Sequence, residues 1–190
     1  MMGCGILFFL NHVADKRFEN EKKNYKIYKE AKKMFSLGEY DKAEKKYQLC
    51  LDNGDYESNC ADGLMQIYYK KQEWEKAISF TLDRISGKEP PSTEDRYGWY
   101  RIAKLYDLKL NNKSKAKEYY LKTERWLSHP ALFMDIAKIY KEENNFNEAT
   151  VYAQKALAEL SQPGYHYSDL TKDDTLKLLS EIKSQATRGK

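Results

Sequence analysis

Residues 133–157 read FMDIAKIYKEENNFNEATVYAQKAL. Apolar residues recur at three- and four-residue spacing on either side of a polar break from Glu142 to Asn145. Phe133, Ile136, Ala137 and Tyr140 fall on one face of a first helix, and Ala149, Ala153 and Ala156 on one face of a second. Ala137 and Ala149 are small enough for two antiparallel helices to approach closely, while the large residues around them interlock. The stretch predicts a helical hairpin.

The hairpin recurs upstream. GEYDKAEKKY (38–47), QEWEKAISF (72–80) and NNKSKAKEYY (111–120) each run from a turn residue through a charge to Ala. Ala43 and Ala77 are 34 residues apart, Ala77 and Ala116 39, and Ala116 and Ala149 33. A period near 34 marks a helix-turn-helix repeat. The helix before each turn repeats too. Four slots hold Ile27, Ala61, Trp99 and Phe133; then Glu30, Leu64, Ile102 and Ile136; then Ala31, Met65, Ala103 and Ala137; then Met34, Tyr68, Tyr106 and Tyr140. Behind each Ala, the helix continues with Tyr47, Thr81, Tyr120 and Ala153, then Cys50, Arg84, Thr123 and Ala156. One hairpin cannot bury its apolar face alone, so neighbours must stack.

Over about residues 24–160 the chain resembles the tetratricopeptide repeat family, whose pattern is W-x2-L-G-x2-Y followed by A-x3-F. The first repeat departs from it with Glu30 in the Leu slot. The third, WYRIAKLYDLKLNNKSKAKEYYLKT (99–123), carries one additional residue before its Ala and is similar to Sel-type repeats. The resemblance implies an all-α, right-handed superhelical array of about four repeats with a C-terminal capping helix. The array is expected over 22–160, with repeats at about 24–57, 58–91, 96–129 and 130–160 and helix pairs near 22–52, 58–86, 94–126 and 130–160. SGKEPPST (86–93), with two prolines, is the one longer linker. Residues 161–190 are read as a linker and the capping helix. Thr171 and Asp174 form a capping box there, and Leu176, Leu179 and Ile182 its apolar stripe.

Composition bounds the rest. The 190 residues are 41% hydrophobic and 33% charged, with sixteen Tyr but only nine Gly and four Pro. That suits a charged helical protein with few chain breakers. A net charge of +4 without a dense Lys/Arg stripe gives no ground to expect nucleic acid. Three Cys without C-x-x-C spacing indicate neither a disulfide framework nor zinc, so Cys50 and Cys60 are expected to be reduced core thiols. Segment 1–21 opens with MMGCGILFFL, shorter than the roughly 17–25 residues that span a bilayer. Two readings stand: an anchor remnant, or an apolar arm packed on the first helices. Lys16, Arg17, Lys22 and Lys23 follow the run, so an anchor would leave the repeats in the cytoplasm or on the cytoplasmic face of a membrane. An export signal upstream would instead make the chain a periplasmic or envelope assembly factor.

No catalytic motif is present: GxxxxGK[ST], HExxH and GxSxG are all absent. His12, His129 and His166 are scattered, and neither cofactor nor metal is expected. The sequon at Asn112 matters only in a eukaryotic secretory setting. The chain therefore reads as a non-catalytic scaffold or adaptor, with a helical-repeat RNA binder as the more distant alternative.

The family's geometry implies that the first helix of each pair lines a concave face. Its candidate binding residues are Tyr25, Tyr28, Lys29, Lys32, Tyr69, Tyr97, Tyr100, Arg101, Lys104, Lys138 and Lys141. Tyr beside Lys or Arg suits a peptide partner, and the basic excess favours an acidic one. Tyr100 and Arg101 are expected to carry affinity and little stability. Chaperone-tail adaptors of this family use a Lys, Asn, Asn, Lys, Arg clamp. The matching positions here hold Tyr28, Lys32, Gly63, Tyr97 and Arg101, so only Arg101 agrees.

Overall fold

The computed structural model describes residues 3–54, 57–85, 87, 89–163 and 170–188, and of 3–18, 20 and 57 the backbone alone. Among the described residues every regular element is an α-helix: α1 (Gly3–Ser36), α2 (Tyr40–Asp52), α3 (Glu57–Lys71), α4 (Trp74–Arg84), α5 (Thr93–Leu108), α6 (Lys113–Glu124), α7 (Pro130–Glu142), α8 (Phe146–Leu160) and α9 (Lys172–Arg188). They form two compact units, Met1–Ala77 and Ile78–Lys190.

In the first unit α1 and α2 pack as an antiparallel pair, and α3 lies against both. Its core comprises Ile27, Ala31, Ala43, Tyr47, Cys50, Cys60, Leu64 and Ile67. Gly63 sits directly under the Tyr47 ring, where an added Cβ would collide with the ring carbons. In the second unit, α5 pairs with α6 and α7 with α8, α6 touches α7, and α9 closes on α8. Its core runs through Ala103, Ala116, Tyr120, Leu132, Ile136, Ala149, Ala153 and Ala156 to Leu178 and Ile182 of α9. The repeat alanines Ala43, Ala77, Ala116 and Ala149 are all fully buried.

The turns explain why the sequence repeats itself. Each hairpin reverses on one residue in the left-handed region: Gly38 (φ 77°), Gln72 (57°), Asn111 (49°) and Asn144 (59°). The next residue donates its N–H back to the Tyr-slot carbonyl. These bonds are Glu39 to Met34 (3.0 Å), Glu73 to Tyr68 (2.9 Å), Asn112 to Tyr106 (2.7 Å) and Asn145 to Tyr140 (2.9 Å). Such a bond satisfies a helix-terminal carbonyl that would otherwise lack a partner. The same four residues then start the following helix, their carbonyls accepting from Ala43, Ala77, Ala116 and Ala149 at 2.9–3.0 Å. Asn112 and Asn145 add side-chain caps, accepting from Lys115 N (3.1 Å) and Glu148 N (3.3 Å). In the third repeat the donor lies six residues beyond the Tyr rather than five, so the additional residue is absorbed in the turn.

Two capping boxes set later helix starts. Ser92 and Asp95 exchange backbone–side-chain bonds at 3.1 and 3.0 Å, and Thr171 and Asp174 do the same at 3.2 and 2.9 Å. The stripe that α9 buries differs from expectation. Thr175, Leu178 and Ile182 face inward, Leu179 is half-buried and Leu176 is 51% exposed. Counting back from Ile182 by four and three gives Leu178 and Thr175; Leu179 still packs against the core from its edge, and Leu176 alone of the expected stripe lies outside it.

Cys50 and Cys60 are not reduced thiols: they form a disulfide. Both are fully buried, so their core placement stands while the redox assignment does not. Cys50 lies in the last turn of α2 and Cys60 in the first turn of α3, and packing of those helices brings their Cα atoms to 6.2 Å. That closeness is tertiary, and no local spacing motif announces it.

Candidate partner-binding faces

In the second unit α5 aligns Tyr97, Tyr100, Arg101 and Lys104 on one face, at i, i+3, i+4 and i+7. Trp99, Ile102, Ala103 and Leu105 take the buried side and fix the helix rotation. Tyr97 is 46% exposed and Arg101 is exposed. Neither has a hydrogen-bond or ion-pair partner among the described residues.

Tyr100 and Lys104 are half-buried and already engaged. The Tyr100 hydroxyl donates to Asp135 Oδ2 at 2.9 Å, and Lys104 Nζ reaches the same oxygen at 3.1 Å. Asp135 is a buried residue of α7, and Lys138, exposed on the same helix, lies 4.0 Å from its other oxygen. Lys141 is held by Glu181 of α9 at 2.7 Å, a bond that lowers the Glu181 pKa. Behind this row the fully buried Tyr120 donates to Asp107 Oδ2 at 3.1 Å. Burial pushes its hydroxyl far above the usual tyrosine range. Lys113 bridges Asp107 (2.7 Å) and Glu142 (3.0 Å). Burial works against its charge, but bonds to the two carboxylates raise its pKa on balance. A cleft of about 350 Å³ opens beside Lys138, lined by Met134, Leu170, Asp174, Lys177, Leu178 and Glu181.

In the first unit Tyr25 and Lys29 form one exposed patch, with the Lys29 ammonium 4.8 Å from the Tyr25 ring centroid. Tyr28 is half-buried, its ring 6.3 Å from Tyr47. Tyr69 packs edge-on against Trp74 at 5.5 Å. Lys32 is exposed and has no hydrogen-bond or ion-pair partner among the described residues. Glu30, the misfit of the first repeat, is satisfied by Lys46 of α2 at 2.7 Å, whose hydrogen bond lowers its pKa. Lys71 at the end of α3 collects Asp41 (2.9 Å), Glu44 (3.0 Å) and Glu73 (3.2 Å). The hydrogen bonds it donates to Asp41 and Glu44 raise its pKa above the ordinary lysine value.

The structure thus assigns Tyr25, Tyr28, Lys29, Lys32 and Tyr69 to the first unit and Tyr97, Tyr100, Arg101, Lys104, Lys138 and Lys141 to the second. Sequence reasoning missed that Asp135 is a buried acceptor for two of these residues. Its place directly before the buried Ile136–Ala137 pair was the one available signal. The readings of the apolar run 1–10, Cys4, His12 and His166 concern side chains outside the described residues. Among the described residues no group of three His, Cys, Asp or Glu side chains could hold a metal, and no helix is long and apolar enough to cross a membrane.

No family model matches the chain, and no curated protein matches it either. Solved structures do. The crystal structure of BtubC (BKLC) from P. vanneervenii superposes with a TM-score of 0.62 at 17% identity, covering 93% of this chain and 78% of that one. YrrB, described as a TPR protein with an unusual peptide-binding site, superposes with a TM-score of 0.54 at 15% identity over 82% of this chain and 73% of its own. PilF of Pseudomonas aeruginosa aligns over 90% of both chains at 13% identity and a TM-score of 0.48. The fold is that of the tetratricopeptide repeat: all-helical, built of stacked hairpins.

Proposed function

We propose that the chain is a non-catalytic scaffold that holds a segment of another protein, with acidic residues preferred, on the exposed faces of its first-position helices. The observation that carries this reading is the pair Tyr97 and Arg101, one turn apart on α5. Both are exposed and uncommitted, beside Tyr100 and Lys104, whose positions are fixed by Asp135. A planar guanidinium next to an aromatic ring offers bidentate carboxylate recognition and apolar area at low entropic cost. Holding the neighbouring side chains in place before binding lowers the ordering cost of association. Lys138 supplies a further exposed cation on α7. In the first unit Tyr25, Lys29 and Lys32 offer the same chemistry. The peptide-binding site named for YrrB lends the reading a precedent within the fold.

The test is a bead-displayed library of Asp/Glu-rich peptides set against a charge-neutral library. Selective capture by the wild-type chain, reduced about tenfold or more by Arg101→Glu, supports the reading. Equal retention of both libraries by wild type and variant overturns it.

A further inference from the structure

We infer that the repeats fold and work in an oxidising compartment, because a disulfide built into the core closes the junction between α2 and α3. Cys50 and Cys60 have no exposed surface. They join the last turn of α2 to the first turn of α3, three residues along each helix from the place where Gly63 lies under the Tyr47 ring. Cysteines that cycle in response to redox signals are accessible and have stabilised thiolates. A bond with no exposed surface is out of reach of a reductant unless the junction opens, which marks it as a permanent part of the fold rather than a switch.

Its formation fixes the chemistry of the surroundings. Each chain gives up two electrons and two thiol protons, so an oxidant is required, and the class that fits is a disulfide carrier protein. The thiolate of one cysteine attacks a carrier sulfur and releases the other carrier sulfur as a thiolate. The second cysteine's thiolate then attacks the mixed disulfide. Cys50–Cys60 forms and the carrier leaves as its dithiol. Such carriers and the bonds they make persist outside the cytosol, whereas glutathione and thioredoxin keep cytosolic thiols reduced. The buried pair therefore favours the exported alternative over the cytoplasmic one. Where the binding reading above also holds, the partner is an exported protein or the outward-facing segment of a membrane protein. That clause rests on the binding reading; the experiment below does not.

The experiment is thiol trapping in the native cells. A Cys4→Ala chain is quenched in acid, unfolded, and treated with a polyethylene-glycol maleimide that adds a visible mass to each free thiol. A Cys4→Ala/Cys50→Ser/Cys60→Ser chain marks the unmodified position on the gel. The expected result is that most chains carry no adduct, and two after prior reduction. Two adducts without reductant overturn the inference. So does a split population that moves with the redox state of the growth medium, which would make the pair a switch. Should Cys4→Ala fail to accumulate, the unaltered chain serves. Cys50 and Cys60 must then contribute no adducts beyond the one Cys4 can carry, and two further adducts overturn the inference.

Discussion

The hydroxyl of Tyr100 on α5 donates to the carboxylate of Asp135 on α7 across 2.9 Å, tying one hairpin of the second unit to the next. The sequence pattern alone points to Tyr100 as a binding residue with little part in stability; this bond gives it a structural task. Asp135→Ala leaves the hydroxyl and the Lys104 amine without their shared acceptor, and is expected to cost about 1–3 kcal/mol in urea unfolding. Tyr100→Phe should cost about 1 kcal/mol. Wild-type stability in both variants would refute the structural role.

Arg101 and Tyr97 should behave in the opposite way. Neither supports the fold through a described bond, so Arg101→Glu and Tyr97→Ala should leave the melting temperature nearly unchanged. Affinity for an acidic peptide should fall by about 2 kcal/mol or more where the residue is an anchor. Titration calorimetry at two salt concentrations checks this, since the charged part must weaken as salt rises.

Lys71 holds Asp41, Glu44 and Glu73 together, and Lys71→Met leaves three carboxylates facing one another. The site is partly exposed, so the expected loss near neutral pH is modest, about 1 kcal/mol. The bonds to Lys71 and Lys76 lower the Asp41 and Glu73 pKa values in the folded chain. Their stabilisation is therefore present above the ordinary carboxylate range and lost as pH falls through the lowered values. The gap between wild type and variant should close in acid, which melts at pH 3 and pH 7 would reveal.

His129 and Tyr152 make the stability of the second unit depend on pH in opposite directions. Burial lowers the His129 pKa below 6.5 in the folded chain. The unfolded chain then binds the proton more readily, so stability begins to drop below pH 6.5 and goes on dropping until the lowered value is passed. Burial likewise pushes the Tyr152 hydroxyl up to about 12, so stability falls as pH rises from 10 towards that value. His129→Gln should make the acid limb of a plot of melting temperature against pH less steep, and Tyr152→Phe should lessen the alkaline limb, to which the more strongly shifted Tyr120 also contributes. An unchanged limb in either variant counts against its assignment.

Gln72 occupies the left-handed turn position that Gly38, Asn111 and Asn144 fill elsewhere. An L-residue there is strained, and Asn tolerates the conformation better than Gln. Gln72→Asn should raise stability by about 0.5 kcal/mol in chemical unfolding. A loss would show that the Gln side chain contributes something the backbone argument omits.

The fold was legible because its signals are periodic. Ala43, Ala77, Ala116 and Ala149 start helices from the same backbone position, and only a small residue fits where the hairpin closes. The Thr171–Asp174 box was legible because a cap is local. What escaped was tertiary. Glu30 looked like a defect until Lys46 was placed beside it, Cys50 and Cys60 looked unrelated until α2 met α3, and Asp135 looked like a surface charge until Tyr100 reached it. The candidate binding residues were chosen by register. Register states which residues share a face; it does not state which of them are already committed to the fold.

The disulfide also changes what a broken backbone means for this chain. Asn53 and Gly54 are exposed in the turn that the Cys50–Cys60 bond encloses, and exposed turns are where proteases cut. A cut inside that ring separates no pieces. The two fragments stay covalently joined, and α2 and α3 continue to meet at the high effective concentration of a tethered pair. The junction can thus be nicked and remain assembled until a reductant reaches it, so chain continuity and structural continuity are, at this one turn, separate properties.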